Sequence, residues 1–354
     1  MSSAGSPIRV GLLGYGLAGR VFHAPLVASI PDMRLDAIVT SDPERQARAR
    51  ADHPQARLLD RDAQLWQMAA DLDLVVVATP NRFHVPLALA SIAAGIAVVV
   101  DKPFAPTAAE GREVIAAARA RGVPLTVFQN RRWDCDYLTV RRLMDEGALG
   151  RVMRFESRFE RWRPEVRPGW RESGTVGDAG GRLFDFGAHL VDQSVQLFGP
   201  VVTVYAELDR RRPGVETDDD AFVALTHASG TRSHLWMSVV DAQPGLRMRV
   251  LGDRAAYVKS GLDVQEDALL DGARPGDVGW GEDAPDMWGL LGTDGDLRPV
   301  RTERGRYEDF YAAVAASLRD GSPMPVDPAD SVRVLELIEA AQRSAASAET
   351  VRVG

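Results

Sequence analysis

One cysteine in 354 residues, Cys135, has no partner for an intramolecular disulfide, so the fold is not stapled covalently and a reducing compartment is expected. Uncompensated positive charge is also scarce. With 42 Lys and Arg against 50 Asp and Glu, the formal net charge is −8, which argues against the clustered cations of a nucleic-acid surface. No apolar run approaches the roughly 20 residues a bilayer crossing takes, and no charged leader with an apolar core opens the sequence, so a cytoplasmic protein without membrane attachment is expected. The histidines other than His189, namely His23, His53, His84, His227 and His234, are scattered and none has the spacing of a zinc motif, so no metal site is expected.

What is present is a long chain that is 45% hydrophobic, more than one core usually serves. Two domains are expected, one over residues 1–128 and the other over 129–354, with a final helix that packs back on the first. Residues 8–13 read as a buried strand, 17–30 as an amphipathic helix and 34–40 as a second strand. Asp42 then caps a helix whose first position is Pro43. Apolar runs at 72–78, 96–100 and 125–128 alternate with helical segments near 85–94 and 108–121, which implies a parallel sheet covered on both faces. Beyond about Gln129 the pattern changes to consecutive strands at 152–162, 201–208, 221–227, 232–239 and 246–251, interrupted by a helix over 182–197 and followed by another near 331–345. The fold class is therefore α/β, an N-terminal parallel-sheet domain followed by an α+β domain. Residues 271–296, crowded with Gly, Pro and Asp, read as an irregular excursion.

The first strand runs into Gly14-Tyr15-Gly16-Leu17-Ala18-Gly19. In this spacing the first glycine permits a tight turn, the second lets backbone amides approach a pyrophosphate, and the third allows close helix packing. Gly14, Gly16, Leu17 and Ala18 are thus candidate cofactor contacts. The later strands deliver Thr79, Pro80 and Asn81, then Asp101 and Lys102, then Gln129 and Asn130 to their carboxyl ends, where open parallel sheets bind ligands. At the end of the second strand Ser41 occupies the slot where an acid would bind the ribose hydroxyls of NAD, and Arg45 follows one turn on, which favours NADP. A shift of one residue would put Asp42 in that slot and favour NAD.

Lys102, delivered by a buried strand, can donate to a substrate oxygen; its alternative is a surface lysine paired with Asp101. Asp185 and His189, four apart on a helix with Asp192 and Gln193 near the same face, can form an oriented general base or an ordinary salt-linked face. Gly180-Gly181 before that helix favours close approach to a ligand. Arg158, Arg161, Trp162, Arg163, Arg167, Trp170 and Arg171 form a stretch that can clamp a pyrophosphate or stack on a sugar, or can be an exposed strand edge.

Taken together, several motifs resemble the Gfo/Idh/MocA oxidoreductase family over nearly the whole length, nearest to its NADP-dependent scyllo-inositol dehydrogenase type. They are the glycine turn continued through Arg20-Val21-Phe22-His23-Ala24-Pro25-Leu26, Thr79-Pro80-Asn81 with His84, Asp101-Lys102-Pro103, Asn130-Arg131-Arg132-Trp133-Asp134, Arg163-Pro164-Glu165-Val166, Trp170-Arg171 and Asp185-Phe186-Gly187-Ala188-His189-Leu190-Val191-Asp192. The resemblance implies Lys102, Asp185 and His189 as the catalytic group, His84, Trp170 and Arg171 on the cofactor side, and Asn130 and Trp133 with the catalytic group around the substrate. It also implies an N-terminal Rossmann domain with a parallel sheet joined to a C-terminal α+β domain with a large, open, mostly antiparallel sheet, NADP or NAD as cofactor, a cyclic polyol or sugar as substrate, and a homodimer or homotetramer built on the open sheet. The family usually has Glu before the lysine, where this chain has the shorter Asp101. A cofactor-binding sensor without turnover and an NAD-dependent glycosidase on the same fold are the competing readings.

Overall fold

The computed structural model describes residues 6–166, 169, 172, 174 and 176–354. Arg167, Trp170 and Arg171 lie outside the described residues. Two compact units form: one takes in the chain up to Asn130 together with Gln265–Trp280 and Arg306–Val332, the other Arg131–Val264, Gly281–Gly305 and Arg333–Gly354.

The first unit is built on six parallel strands: β1 (Ile8–Leu13), β2 (Met33–Val39), β3 (Arg57–Leu59), β4 (Leu74–Val77), β5 (Ala97–Val100) and β6 (Leu125–Val127). Their order in the sheet is β3-β2-β1-β4-β5-β6, the doubly wound arrangement in which the chain reverses direction of travel between β1 and β4. β4 and β5 are Leu-Val-Val-Val and Ala-Val-Val-Val and bury every residue, as strands covered on both faces must. The helices begin and end where the capping chemistry dictates. The Asp42 carboxylate accepts the amide of Arg45 at 3.0 Å to start Pro43–Asp52. Thr107 accepts the Glu110 amide and donates to its carboxylate to start Ala108–Arg121, which ends on Gly122 at φ +64°. The core is closed by the late helix Glu308–Asp320, whose Phe310 and Tyr311 pack on Phe128, with ring centroids 5.0 and 5.9 Å away.

The second unit carries a nine-stranded sheet made of β7 (Val152–Glu160), β8 (Val201–Asp209), β9 (Asp220–His227), β10 (Arg232–Ser238), β11 (Met248–Gly252), β12 (Ala256–Lys259), β13 (Gly289–Thr293), β14 (Asp296–Val300) and β15 (Val351–Arg352). The order is β14-β13-β12-β11-β7-β10-β9-β8-β15, antiparallel throughout except for the central pair β7 and β10. Buried and partly exposed positions alternate along β9, so one face is covered and the other open. The covering helix, Ala188–Phe198, packs on β7 and β10, with the Phe198 ring 5.2 Å from Phe155.

Part of the segment expected to be irregular is ordered: it contains a short turn over Pro285–Met287 and leads into the hairpin β13–β14. The helices Cys135–Asp145 and Glu308–Asp320 were not anticipated from the periodicity.

Candidate active site

Register fixes the cofactor edge of the first unit. Leu13 pairs with both Val39 and Val77, Val77 with Val100, and Val100 with Val127, so the residues that follow these five share one edge of the sheet. The glycine turn sits there, between β2 and β4, at the switch point. Gly14 has φ +97°, and a Cβ on it would lie 2.5 Å from the carbonyl oxygen of Ala78. A Cβ on Gly19 would lie 2.0 Å from the carbonyl oxygen of Gly14, so the third glycine is what lets the following helix sit against the turn. Gly16 is different. A Cβ there would meet nothing nearer than Arg45 Nη1 at 3.7 Å, which leaves room over the turn bordered by a guanidinium. Leu17 is exposed, and Ala18 begins a π-helical turn, Ala18–His23, that runs into the α-helix Ala24–Ala28. A cradle with free backbone, open space and an adjacent cation fits a dinucleotide pyrophosphate.

Ser41 is exposed just beyond β2, while the Asp42 carboxylate caps its own helix and lies 3.8 Å from Arg45 Nε. Thr79 and Pro80 are partly exposed beyond β4, and Asn81 is buried. His84 is enclosed, one ring nitrogen 2.8 Å from the carbonyl of Pro103 and the other 2.9 Å from that of Thr79. It is a brace between the β4 and β5 loops. Burial lowers its pKa, against the opposing pull of Asp101 and the two carbonyls.

Lys102 and Asp101 are partly exposed beyond β5, and the Lys102 amide donates to Asp101 Oδ1 at 2.8 Å. The same oxygen lies 3.7 Å from Nε2 of the buried His23, whose Nδ1 is 2.6 Å from the hydroxyl of Tyr311. Burial opposes the Asp101 charge, but His23, Lys102 and His84 outweigh it and hold the carboxyl below the usual aspartate range. Asp101 is therefore an anion beside the lysine. Tyr311, on the far helix, carried no sequence signal for this role.

In the second unit Asp185 lies in a π-helical turn, Leu183–Gly187, that continues into Ala188–Phe198, and His189 is buried in the first turn of that helix. Single π turns inside helices recur at functional sites. Asp192 and Gln193, expected near the same face, anchor the neighbouring turn instead. Asp192 binds Arg132 through two hydrogen bonds of 2.6 and 2.8 Å, and Gln193 donates to the carbonyl of Arg131 at 2.7 Å. Trp133 is partly exposed on that turn and Asn130, which opens it, is buried. The glycine before the helix also has a local reason: a Cβ on Gly181, at φ +94°, would lie 2.1 Å from Asp218 Oδ1. Asp218 accepts the Leu183 amide at 2.7 Å and its pKa is pushed up to about 6 by burial, in spite of that bond.

Sequence reasoning missed the charges around Asp185. Arg182 Nη1 lies 3.4 Å from Asp185 Oδ2, and its Nη2 pairs with Glu172 Oε1. Arg212 Nη2 lies 2.7 Å from the other oxygen of Glu172. Of the basic and aromatic stretch, Arg158 belongs to the sheet surface, its guanidinium 3.9 Å from the Trp236 ring centroid, and Trp162 is exposed. Among the described residues no group of three or more His, Cys, Asp or Glu is placed to hold a metal ion, and no helix is long and apolar enough to cross a membrane.

A doubly wound sheet with a glycine turn at its switch point, followed in the chain by an α+β unit with a mixed sheet, defines a two-part dinucleotide-binding oxidoreductase architecture. The family model for an oxidoreductase family with an NAD-binding Rossmann fold matches residues 8–129, and the GFO/IDH/MocA C-terminal domain model matches residues 137–258. The chain belongs to the Gfo/Idh/MocA oxidoreductase family. It is 41% identical to the oxidoreductase YdgJ of Escherichia coli over 341 residues, 96% of either chain. It is 36% identical over 348 residues to the scyllo-inositol 2-dehydrogenase (NADP(+)) IolW of Bacillus subtilis, covering 97% of this chain and 95% of that one. Among solved structures, the YPO2259 oxidoreductase of Yersinia pestis superposes with a TM-score of 0.92 at 38% identity, over 100% of this chain and 99% of the other.

Proposed function

We propose that this oxidoreductase catalyses the reversible oxidation of a secondary alcohol on a cyclic polyol or sugar, with NADP preferred over NAD. The carrying observation is the common edge of the first sheet, which holds both a glycine cradle and the Lys102–Asp101 pair. Bound nicotinamide dinucleotide supplies the hydride acceptor. Gly14, Gly16, Leu17 and Ala18 hold its phosphates, and Thr79, Pro80, Asn81 and Asp101 lie along the same edge. Lys102 donates a hydrogen bond to the reacting oxygen and stabilises its developing negative charge. His189 takes the hydroxyl proton, Asp185 orients the imidazole, and Asn130 and Trp133 contact the ring. Trp170 and Arg171 complete the cofactor side.

The NADP preference is supported by Ser41, which brings no charge to repel a ribose phosphate, by Arg45 close to the glycine turn, and by Asp42 being committed to its cap. It is also the cofactor in the name of the relative IolW.

The test is a panel of inositols and aldoses assayed with NADP+ and with NAD+ by the absorbance of the reduced nicotinamide, repeated on Lys102→Ala and His189→Ala. Net reduction with at least one polyol, and a fall in kcat of about 10²-fold or more in each variant with cofactor affinity retained, is the expected result. Near-wild-type turnover in both variants would remove the assigned roles.

A further inference from the structure

We infer that Glu172 is a positioning residue: bridging two buried arginines, it keeps Arg182 from neutralising Asp185 and so sets the basicity of His189. The inference rests on the catalytic reading above for its purpose, but its geometry lies wholly within the second unit. Arg182 and Arg212 are 3% and 4% exposed and face opposite oxygens of the one Glu172 carboxylate. Arg212 continues the chain of alternating charge. Its Nε lies 2.9 Å from Asp219 Oδ2, and Asp219, fully buried, also accepts the amides of Arg211 and Arg212 at 2.7 and 2.9 Å. The free branch of Arg212 donates to the carbonyls of Arg163 and Glu165 at 3.2 and 3.1 Å, so the same network ties down the start of the segment that leads to Trp170 and Arg171.

Read from one end, the sequence of charges is Asp219, Arg212, Glu172, Arg182 and Asp185, negative at both ends. Arg182 is shared: one nitrogen is on Glu172, and the other only 3.4 Å from Asp185. Buried arginine without a counter-charge is costly, so whichever carboxylate is removed, Arg182 turns to the one that remains. Without the Glu172 charge Arg182 pairs fully with Asp185, which can then lend less negative potential to an imidazole one turn away. Without Arg212 the opposite holds. Glu172 passes wholly to Arg182, and Asp185 is left with more of its charge.

The other charged groups near this helix are fixed in place. Asp218 accepts the Leu183 amide at the helix start, and Arg161 and Arg182 lie over the Phe186 ring. Asp192 is held by Arg132. Arg131 and Arg247 stack on Phe159, whose ring centroid is 6.3 Å from that of His189, and Arg247 is neutralised by Asp136 at 2.8 Å. Arg182 touches both Glu172 and Asp185, so a change at residue 172 or 212 reaches Asp185 through it.

The experiment measures the His189 imidazole titration by NMR of histidine-labelled full-length protein, with the resonance assigned by its loss in His189→Asn. Glu172→Gln is expected to lower the His189 pKa by about half a unit and Arg212→Gln to raise it by a similar amount, with Glu172→Asp close to wild type. Opposite signs in the two charge-removing variants are the signature, because a merely structural role would disturb both alike. An unmoved titration in the folded variants, or shifts of the same sign, overturns the inference. If Glu172→Gln does not fold, a rise in Arg212→Gln with no change in Glu172→Asp still supports it, and any other pattern overturns it. Loss of the catalytic reading shows separately, as normal turnover in His189→Ala, and leaves the titration result standing.

Discussion

The glycine turn makes a prediction in which stability and binding separate. Gly19→Ala places a methyl 2.0 Å from the backbone carbonyl oxygen of Gly14, and neither group can swing aside without its backbone, so turn and helix must part by about 1 Å to restore even a tight contact. Overpacking of this kind costs about 1–3 kcal/mol, which for a unit of this size lowers Tm by roughly 5 °C. Gly16→Ala adds the same methyl where the nearest atom is a flexible guanidinium nitrogen at 3.7 Å, so the protein without ligand is unaffected and its Tm stays within about 1 °C. The methyl occupies the space above the turn, however, and the dinucleotide affinity falls at least about tenfold, or 1.4 kcal/mol. Calorimetric unfolding and fluorescence titration with NADP+ and NAD+ read the two quantities independently. Gly16→Ala binding both dinucleotides with wild-type affinity would refute the cradle, and Gly19→Ala unfolding at the wild-type temperature would refute the packing argument.

Three further outcomes can be checked. Asp218, its pKa pushed up to about 6 against roughly 4 when unfolded, holds its proton more tightly in the fold, so its charge is a cost that appears as pH rises from about 4 to 6 and persists above. Asp218→Asn is therefore expected to stabilise the protein at pH 7.5 by up to about 2 kcal/mol in denaturant melts, and a difference equally large at pH 4 would contradict this. Lys259 and Asp283 pair at 2.6 Å with side chains 0% and 1% exposed, and Asp283→Ala is expected to cost about 3–5 kcal/mol by leaving the buried ammonium with two backbone carbonyls and no counter-charge; a loss under 1 kcal/mol in urea melts would show that water reaches it. Tyr311→Phe removes the phenol from His23 Nδ1, and it is expected to lower kcat severalfold with the dinucleotide Kd unchanged; a change confined to Kd would detach the His23 and Asp101 contacts from Lys102.

The sequence was most legible where one local cause suffices. β1 falls on the predicted residues because a run of Ile, Val and Leu stops at a glycine, and Ala108–Arg121 does so because a Thr cap and a left-handed glycine bound it. The hairpin of β13 and β14 was hidden because β14 is an edge strand, exposed along most of its length and carrying Pro299, so it has neither alternation nor a buried run. Cys135–Asp145 buries Cys135, Asp136 and Thr139 beside Tyr137, Val140 and Leu143, and a helix face with so many polar members does not read as apolar. Thr79, Asn81, Asp101 and Lys102 were legible as strand-end residues because parallel register puts them on one edge. Arg182, Glu172 and Arg212 were not, because ion pairs across 10 and 40 positions leave no periodic trace.

The late helix that closes the first unit has a consequence for how the protein is made. Phe310 and Tyr311 complete the aromatic cluster around Phe128 and His23, and the Thr126 hydroxyl donates to the carbonyl of Val326 at 2.8 Å. A nascent chain released as far as Asn130 has all six strands of its first sheet yet leaves these rings facing water. The nucleotide half therefore matures only when nearly the entire polypeptide has left the ribosome, and a gene fragment cut at its apparent boundary will yield a sticky, unfinished product.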